Sequence, residues 1–177
     1  MDTSPTVVGM DTAPTAEELF AARDVARRFV NVYEPDLYSG EDAAELVVAF
    51  TDFERIGVAG KLLSARRVEN TRHHEQKGHK QAGSWLAGIT GEPVGRAASN
   101  MDSLRSMEAH PEVKEAFKTG KISEPQAKQI ASAADRCPEQ ARRLVEDAPS
   151  MTFGELKRRC DDVRSASDSA EDEIERY

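Results

Sequence analysis

"KGHKQAGSWLAGITGEPVGRAASNM", Lys77 to Met101, reads as a short helix, a glycine turn and a second helix. Apolar residues at helical spacing run from about Gln81 to Ile89, and Thr90-Gly91 closes them. Glycine takes positive φ without steric cost, so Gly91 suits the turn. The chain re-enters a helix at Glu92, with Pro93 in the first turn, where its missing N–H costs nothing. No strand-period run or hairpin signal occurs anywhere in the 177 residues. The fold class is therefore all-α: a multi-helix bundle with one long spine helix and this helix-turn-helix-like hairpin.

Working outward, the preceding stretch has Ser39 as N-cap and Glu41 and Asp42 at the favourable end of the helix dipole. Leu46, Phe50, Phe53 and Ile56 carry an apolar face along a helix predicted to run to about Glu75, with Gly78 as its stop. Gly57 and Gly60 each cost that helix about 1 kcal/mol relative to Ala, which marks a kink or a close helix crossing. Ahead of it, Thr15 and Glu18 form a capping box for a helix that Pro35 ends. Beyond the hairpin, a helix through "PEVKEAFKTG" is closed by Gly120. Capping boxes at Ser123/Gln126 and Thr152/Glu155 open two more, with "PEQARRLVEDA" between them. The domain reading is a disordered 1–14, a single helical domain over 15–164, and an acidic tail or linker over 165–177.

Charge is unevenly distributed along a chain of net charge −8. Residues 1–55 hold 4 Arg/Lys against 12 Asp/Glu, residues 56–130 hold 12 against 8, and residues 131–177 hold 8 against 12. The middle third, with all four histidines, is the one segment suited electrostatically to phosphate. No apolar run approaches the roughly 18 residues a bilayer demands, so no membrane association is expected. The N-terminal stretch has no basic residue and no apolar core of a secretory signal. Cys137 and Cys160 are the only cysteines. Two are too few for a disulfide framework, and they read as reduced thiols of a cytoplasmic protein.

"GHKQAGSWLAGITG", then "HPEVKEAFKTGKISEPQAKQIASAA", then a Pro-started helix and "MTFGELKRRC" follow one another in the order seen in a known family. From about Ala43 to Arg164 the chain resembles the actinobacterial domain of unknown function 222, the 13E12 repeat family. Gly78, Trp85-Leu86-Ala87, Gly91, Gly120, Ile122-Ser123 and Ala127 carry the likeness most sharply. Members often bear a C-terminal HNH endonuclease domain, and no histidine follows His110 here to supply such a site. The resemblance thus implies a non-catalytic, DNA-associated accessory or targeting region, with a nuclease domain as one candidate partner.

On the second helix of the hairpin, Arg96, Ser99, Asn100 and Ser103 fall near one face. Arg and Asn pair bidentately with guanine and adenine, so Arg96 and Asn100 are assigned to bases. Lys77, Lys80, Arg105 and Lys121 are assigned to phosphates, with Lys118 and Lys128 as neighbours. The competing reading makes this a hairpin inside a bundle and the lysines a solvated face. It leads to an interaction or self-association scaffold in which Gly57, Ala59 and Gly60 pack on a partner. His73 and His74 point about 100° apart on a helix, so they read as exposed helix-end residues, with no metal or cofactor expected. Trp85 reads as core. Arg158 and Arg159 are placed to lower the Cys160 pKa, yet no catalytic residue is assigned.

Overall fold

The computed structural model describes residues 14–174, with side chains to residue 167. Among the described residues there are nine α-helices, three short 3-10 turns and no strand, so the all-α reading holds. The stretch 1–14, apart from Pro14, lies outside the described residues, as do 175–177. Among the described residues no helix is long and apolar enough to cross a membrane. The chain divides within its second helix into two compact units, one up to Leu46 and one from Val47.

In the first unit, α1 (Ala16–Asn31) starts at the expected capping box: Thr15 N–H donates to Glu18 Oε2 at 2.6 Å and Glu18 N–H to Thr15 Oγ1 at 3.3 Å. A 3-10 turn at Pro35–Leu37 follows. Around it Phe29 stacks on Tyr33, centroids 5.5 Å apart, and Tyr33 meets Tyr38 at 4.9 Å. α2 (Gly40–Asn70) is entered through Ser39, whose Oγ accepts from Asp42 N–H at 3.1 Å.

The second unit holds most of α2 and the remaining helices: α3 (His73–Gln76), α4 (Ala82–Thr90), α5 (Val94–Met107), α6 (Pro111–Lys118), α7 (Glu124–Ala134), α8 (Ala141–Asp147) and α9 (Phe153–Ile174). Its organising helix is α7, which packs against α5, α6, α8 and α9. Ala127, Ile130, Ala131, Ala133 and Ala134 are fully buried. Gln126 closes the Ser123 capping box and donates Nε2–H to the Ala148 carbonyl at 3.1 Å. A second polar link, half-buried, joins the start of α6 to the end of α7, with His110 Nε2 2.7 Å from Asp135 Oδ1.

α2 is the longest helix among the described residues, 31 residues, and gives the core Ala59, Leu62 and Ala65. Two expectations need correction. α2 does not reach Glu75: it ends at Asn70, and Arg72 turns the chain in the left-handed region at φ 55° before α3 and Gly78 (φ 83°). Arginine seldom adopts that conformation, so no residue preference signals the stop. The close crossing is not at Gly57 or Gly60, where an added Cβ would meet nothing within 4 Å. It lies at Gly83, where a Cβ would sit 3.0 Å from Ala98 Cα. α9, for its part, continues as helix through Ile174, across most of the acidic tail.

Because backbone of α5 opposes Gly83, a larger side chain must push α4 and α5 apart. Gly83→Val is expected to destabilise by about 1–3 kcal/mol, lowering Tm by several degrees. Gly95→Ala, which meets open space on α5, should leave stability unchanged or raise it by about 0.5 kcal/mol. Thermal denaturation of the two variants checks the contrast.

Candidate nucleic-acid interface

The hairpin forms as its residues dictate. Gly91 ends α4 at φ 71°, its N–H bonded to the Ala87 carbonyl at 2.9 Å, and Pro93 caps α5, one residue later than the predicted entry. Leu86, Ala87 and Ala97 are buried where the two helices meet, and Trp85 is half-buried against the same core. The inner face of α5 is therefore committed to packing. Ser103 belongs to it, buried and bonded through Oγ to the Ser99 carbonyl at 2.9 Å, so it cannot reach a ligand.

Arg96 and Asn100 line one cleft of about 430 Å³, together with Arg55, Val58 and Lys61 of α2 and Ser123–Pro125 at the start of α7. Arg96 is exposed and Asn100 half-buried. Asn100 Nδ2 donates to Glu92 Oε2 at 3.4 Å, and Glu92 Oε1 takes Lys61 Nζ at 3.2 Å. This internal pairing neutralises Lys61. Lys121 is exposed in the turn before α7, next to Gly120 (φ 75°), whose added Cβ would lie 3.6 Å from Arg55 Cβ and 2.9 Å from Ile56 Cγ2. Lys128 donates to Ser99 Oγ at 2.8 Å, away from the residues that line the cleft. Among the described residues Arg55, Arg96 and Lys121 form no ion pair, while Glu54 and Glu124 add acidic groups near them.

The other basic candidates are not brought to this cleft. Arg105 lies nine residues beyond Arg96, about 180° round the helix, and lines a separate groove with Lys80, His74 and Glu69. It donates to Glu69 Oε1 at 2.6 Å and to Asp102 Oδ1. Glu69 Oε2 takes Arg66 Nη1 at 2.6 Å, and Arg66 also grips Glu108 through two bonds of 3.0 and 2.7 Å. Burial works against the Arg105 charge, but the Asp102 and Glu69 hydrogen bonds outweigh it and its pKa is raised. A phosphate at Arg105 would have to displace two carboxylates. Lys77 and Lys80 are exposed around α3, and Lys118 is paired with Glu115 at 3.4 Å.

The other chemistries read from sequence also resolve. His74 is buried, not exposed, and its Nδ1 has no hydrogen-bond partner. His73 Nδ1 instead lies 3.1 Å from Gln76 Oε1. Among the described residues no three His, Cys, Asp or Glu side chains converge as a metal set. Both thiols are free. Cys160 is fully buried, and burial pushes its pKa up to about 11 against the lowering influence of Arg164 and Arg159. The expected depression is therefore reversed. Arg55 and Lys61 are the cleft residues that sequence reading missed, because only the folded α2 brings them beside α5.

No known family model, curated protein or solved structure matches this chain.

Two measurements test the site's electrostatics. In the native protein a thiol reagent should modify Cys137 and spare Cys160, with both reacting after denaturation. Glu108→Gln should cost about 1 kcal/mol. Its hydrogen bond from Arg66 lowers the Glu108 pKa below the ordinary 4.5, so the contribution is full above that value and is lost as pH falls through the folded-state pKa. Denaturant midpoints of wild type and variant should differ at neutral pH and converge in acid.

Proposed function

We propose that this protein is a non-catalytic, DNA-associated accessory module, of the kind its resemblance to the helical region ahead of HNH nucleases implies. The observation that carries the reading is Arg55 and Arg96, two cations without ion pairs among the described residues, lining the cleft that holds Asn100, with Lys121 exposed in the turn that leads into Ser123. The Ser123 end of α7 opens on the same cleft and adds the positive end of an 11-residue helix. In this reading Arg96 and Asn100 approach base edges and the flanking Arg55 and Lys121 hold phosphates. Lys77 and Lys80 are outlying contacts, and Arg105 supports the hairpin through its carboxylates. The second reading is a helical scaffold with no nucleic-acid binding. It is favoured by the apolar surface of the first two helices.

Fluorescence anisotropy with a labelled random duplex decides between them. Two neutralised phosphates give a salt slope near −1.8, or on the order of a 12-fold loss of affinity between about 50 and 200 mM salt. Arg96→Glu and Lys121→Glu should each weaken binding by about ten-fold or more and flatten that slope, and Lys77→Glu should do less. Absence of binding at micromolar protein would remove the DNA reading and leave the scaffold.

A further inference from the structure

His74 Nδ1 is the one buried side-chain nitrogen or oxygen among the described residues that has no hydrogen-bond partner. The residue is only 6% exposed. Buried polar atoms are bonded in the great majority of cases, so an orphan of this kind points to a partner from outside the chain. His74 lines a groove of about 400 Å³ between α4 and α5, whose lining residues all belong to the second unit. That is the size of a small-molecule site.

The start of α4 opens on the same groove. Gln81, Ala82 and Gly83 line it, and Ala82 and Gly83, the first two residues of this 9-residue helix, are buried. Gln81 makes no side-chain cap bond, and the Ser84 hydroxyl is turned to the Gln81 carbonyl at 2.9 Å. First-turn N–H groups have no carbonyl of their own helix to meet, and they carry the positive end of its dipole. Lys80 lines the groove as well, exposed and without an ion pair among the described residues. Charge by itself selects no ligand, because Glu69 and Asp102 balance Lys80 and Arg105 among the groove's side chains. Hydrogen bonding is more selective. Both carboxylates are engaged by arginines, Glu69 by Arg66 and Arg105, and Asp102 by Arg105. The groups left over are an imidazole nitrogen, first-turn amides and an ammonium. All of these donate, and an oxyanion is the ligand that accepts from all of them.

We propose that this groove seats a phosphate group, with the His74 ring, the first-turn amides of α4 and Lys80 as its donors. Phosphate presents a separate oxygen to each of these donors, which a carboxylate, with its two oxygens, does not. The Arg105 pairs stay intact as the far wall, so no carboxylate is displaced. Two sources present this chemistry, a small phosphomonoester and a nucleic-acid backbone. The groove lies on the flank of α5 opposite Arg96, so the inference does not rest on the DNA reading.

Amide and imidazole NMR spectra of the full chain, titrated with inorganic phosphate at constant ionic strength, test it. The Ala82, Gly83 and Ser84 amides and the His74 ring nitrogens should shift together along one saturable curve, half-saturated at about 1 mM or below. Lys80→Glu should raise that concentration about ten-fold or more. His74→Phe keeps a ring in place and removes its nitrogens. It should weaken phosphate by a similar factor while the Tm without phosphate is unchanged or higher, because an orphaned polar atom has gone. Lys80 is exposed, so its variant carries the test even where His74→Phe does not fold. The same spectra recorded with the random duplex separate the sources. Shifts at these amides that Lys80→Glu abolishes assign the phosphate to a nucleic-acid backbone, and a response to free phosphate alone assigns it to a small phosphomonoester. Shifts that rise without saturating, or a half-saturation that neither substitution moves, would mean an adventitious ion only and overturn the proposal.

Discussion

Everything in the second unit depends on α7 being narrow. An 11-residue helix can be approached by α5, α6, α8 and α9 at once only if its side chains leave room, and four of its five fully buried apolar residues are alanines. Small side chains shorten interaxial distances, and the bulk needed for close packing is then supplied by the neighbours: Leu104, Phe117, Leu144 and Leu156, all buried. Chain composition reflects this, since aromatics are only 6%. Enlarging a face of α7 would displace several helices together, so its tolerance for change is lower than that of any peripheral helix.

The α4–α5 hairpin uses the same device once more. At Gly83 backbone meets Ala98 almost directly, and with Ala97 buried the inner surface of α5 is filled by small groups. The helix is thereby held from behind, and residues that packing does not claim, Arg96 and Asn100, are presented on one flank with Arg55 of α2. On the opposite flank the Arg66, Glu69, Glu108 and Arg105 pairs tie α5 to α2. One side of the hairpin is a clamp and the other an open cleft.

Much of this was legible residue by residue. Local signals are self-contained: the Thr15, Ser123 and Thr152 boxes, the turns at Gly91 and Gly120, and prolines near helix starts each state a boundary within four residues of themselves. What escaped are properties that belong to pairs of elements. Gly57, Gly60 and Gly83 look alike in sequence, and only the third has a neighbour. Arg96 and Arg105 both look available, although helical periodicity alone puts them on opposite flanks and three-dimensional proximity to Glu69 engages the second. His74 reads as a surface residue because nothing local announces that it is buried. The turn at Arg72 that ends α2 likewise runs against the residue's own preference, with the buried His74 two positions beyond it.

α2 joins the two readings because it has two faces. Leu62, completely buried, lies nine residues from Phe53, which is half exposed, and nine residues are about 180° of helix. Arg55 and Val58, on the buried side, line the cleft, while Phe53 lies on the other. A net charge of −8 disfavours a polyanion in general, so under the DNA reading contact rests on the few cations that carboxylates leave without an ion pair among the described residues, Arg55 and Arg96 at the cleft, and it stays weak and strongly dependent on salt.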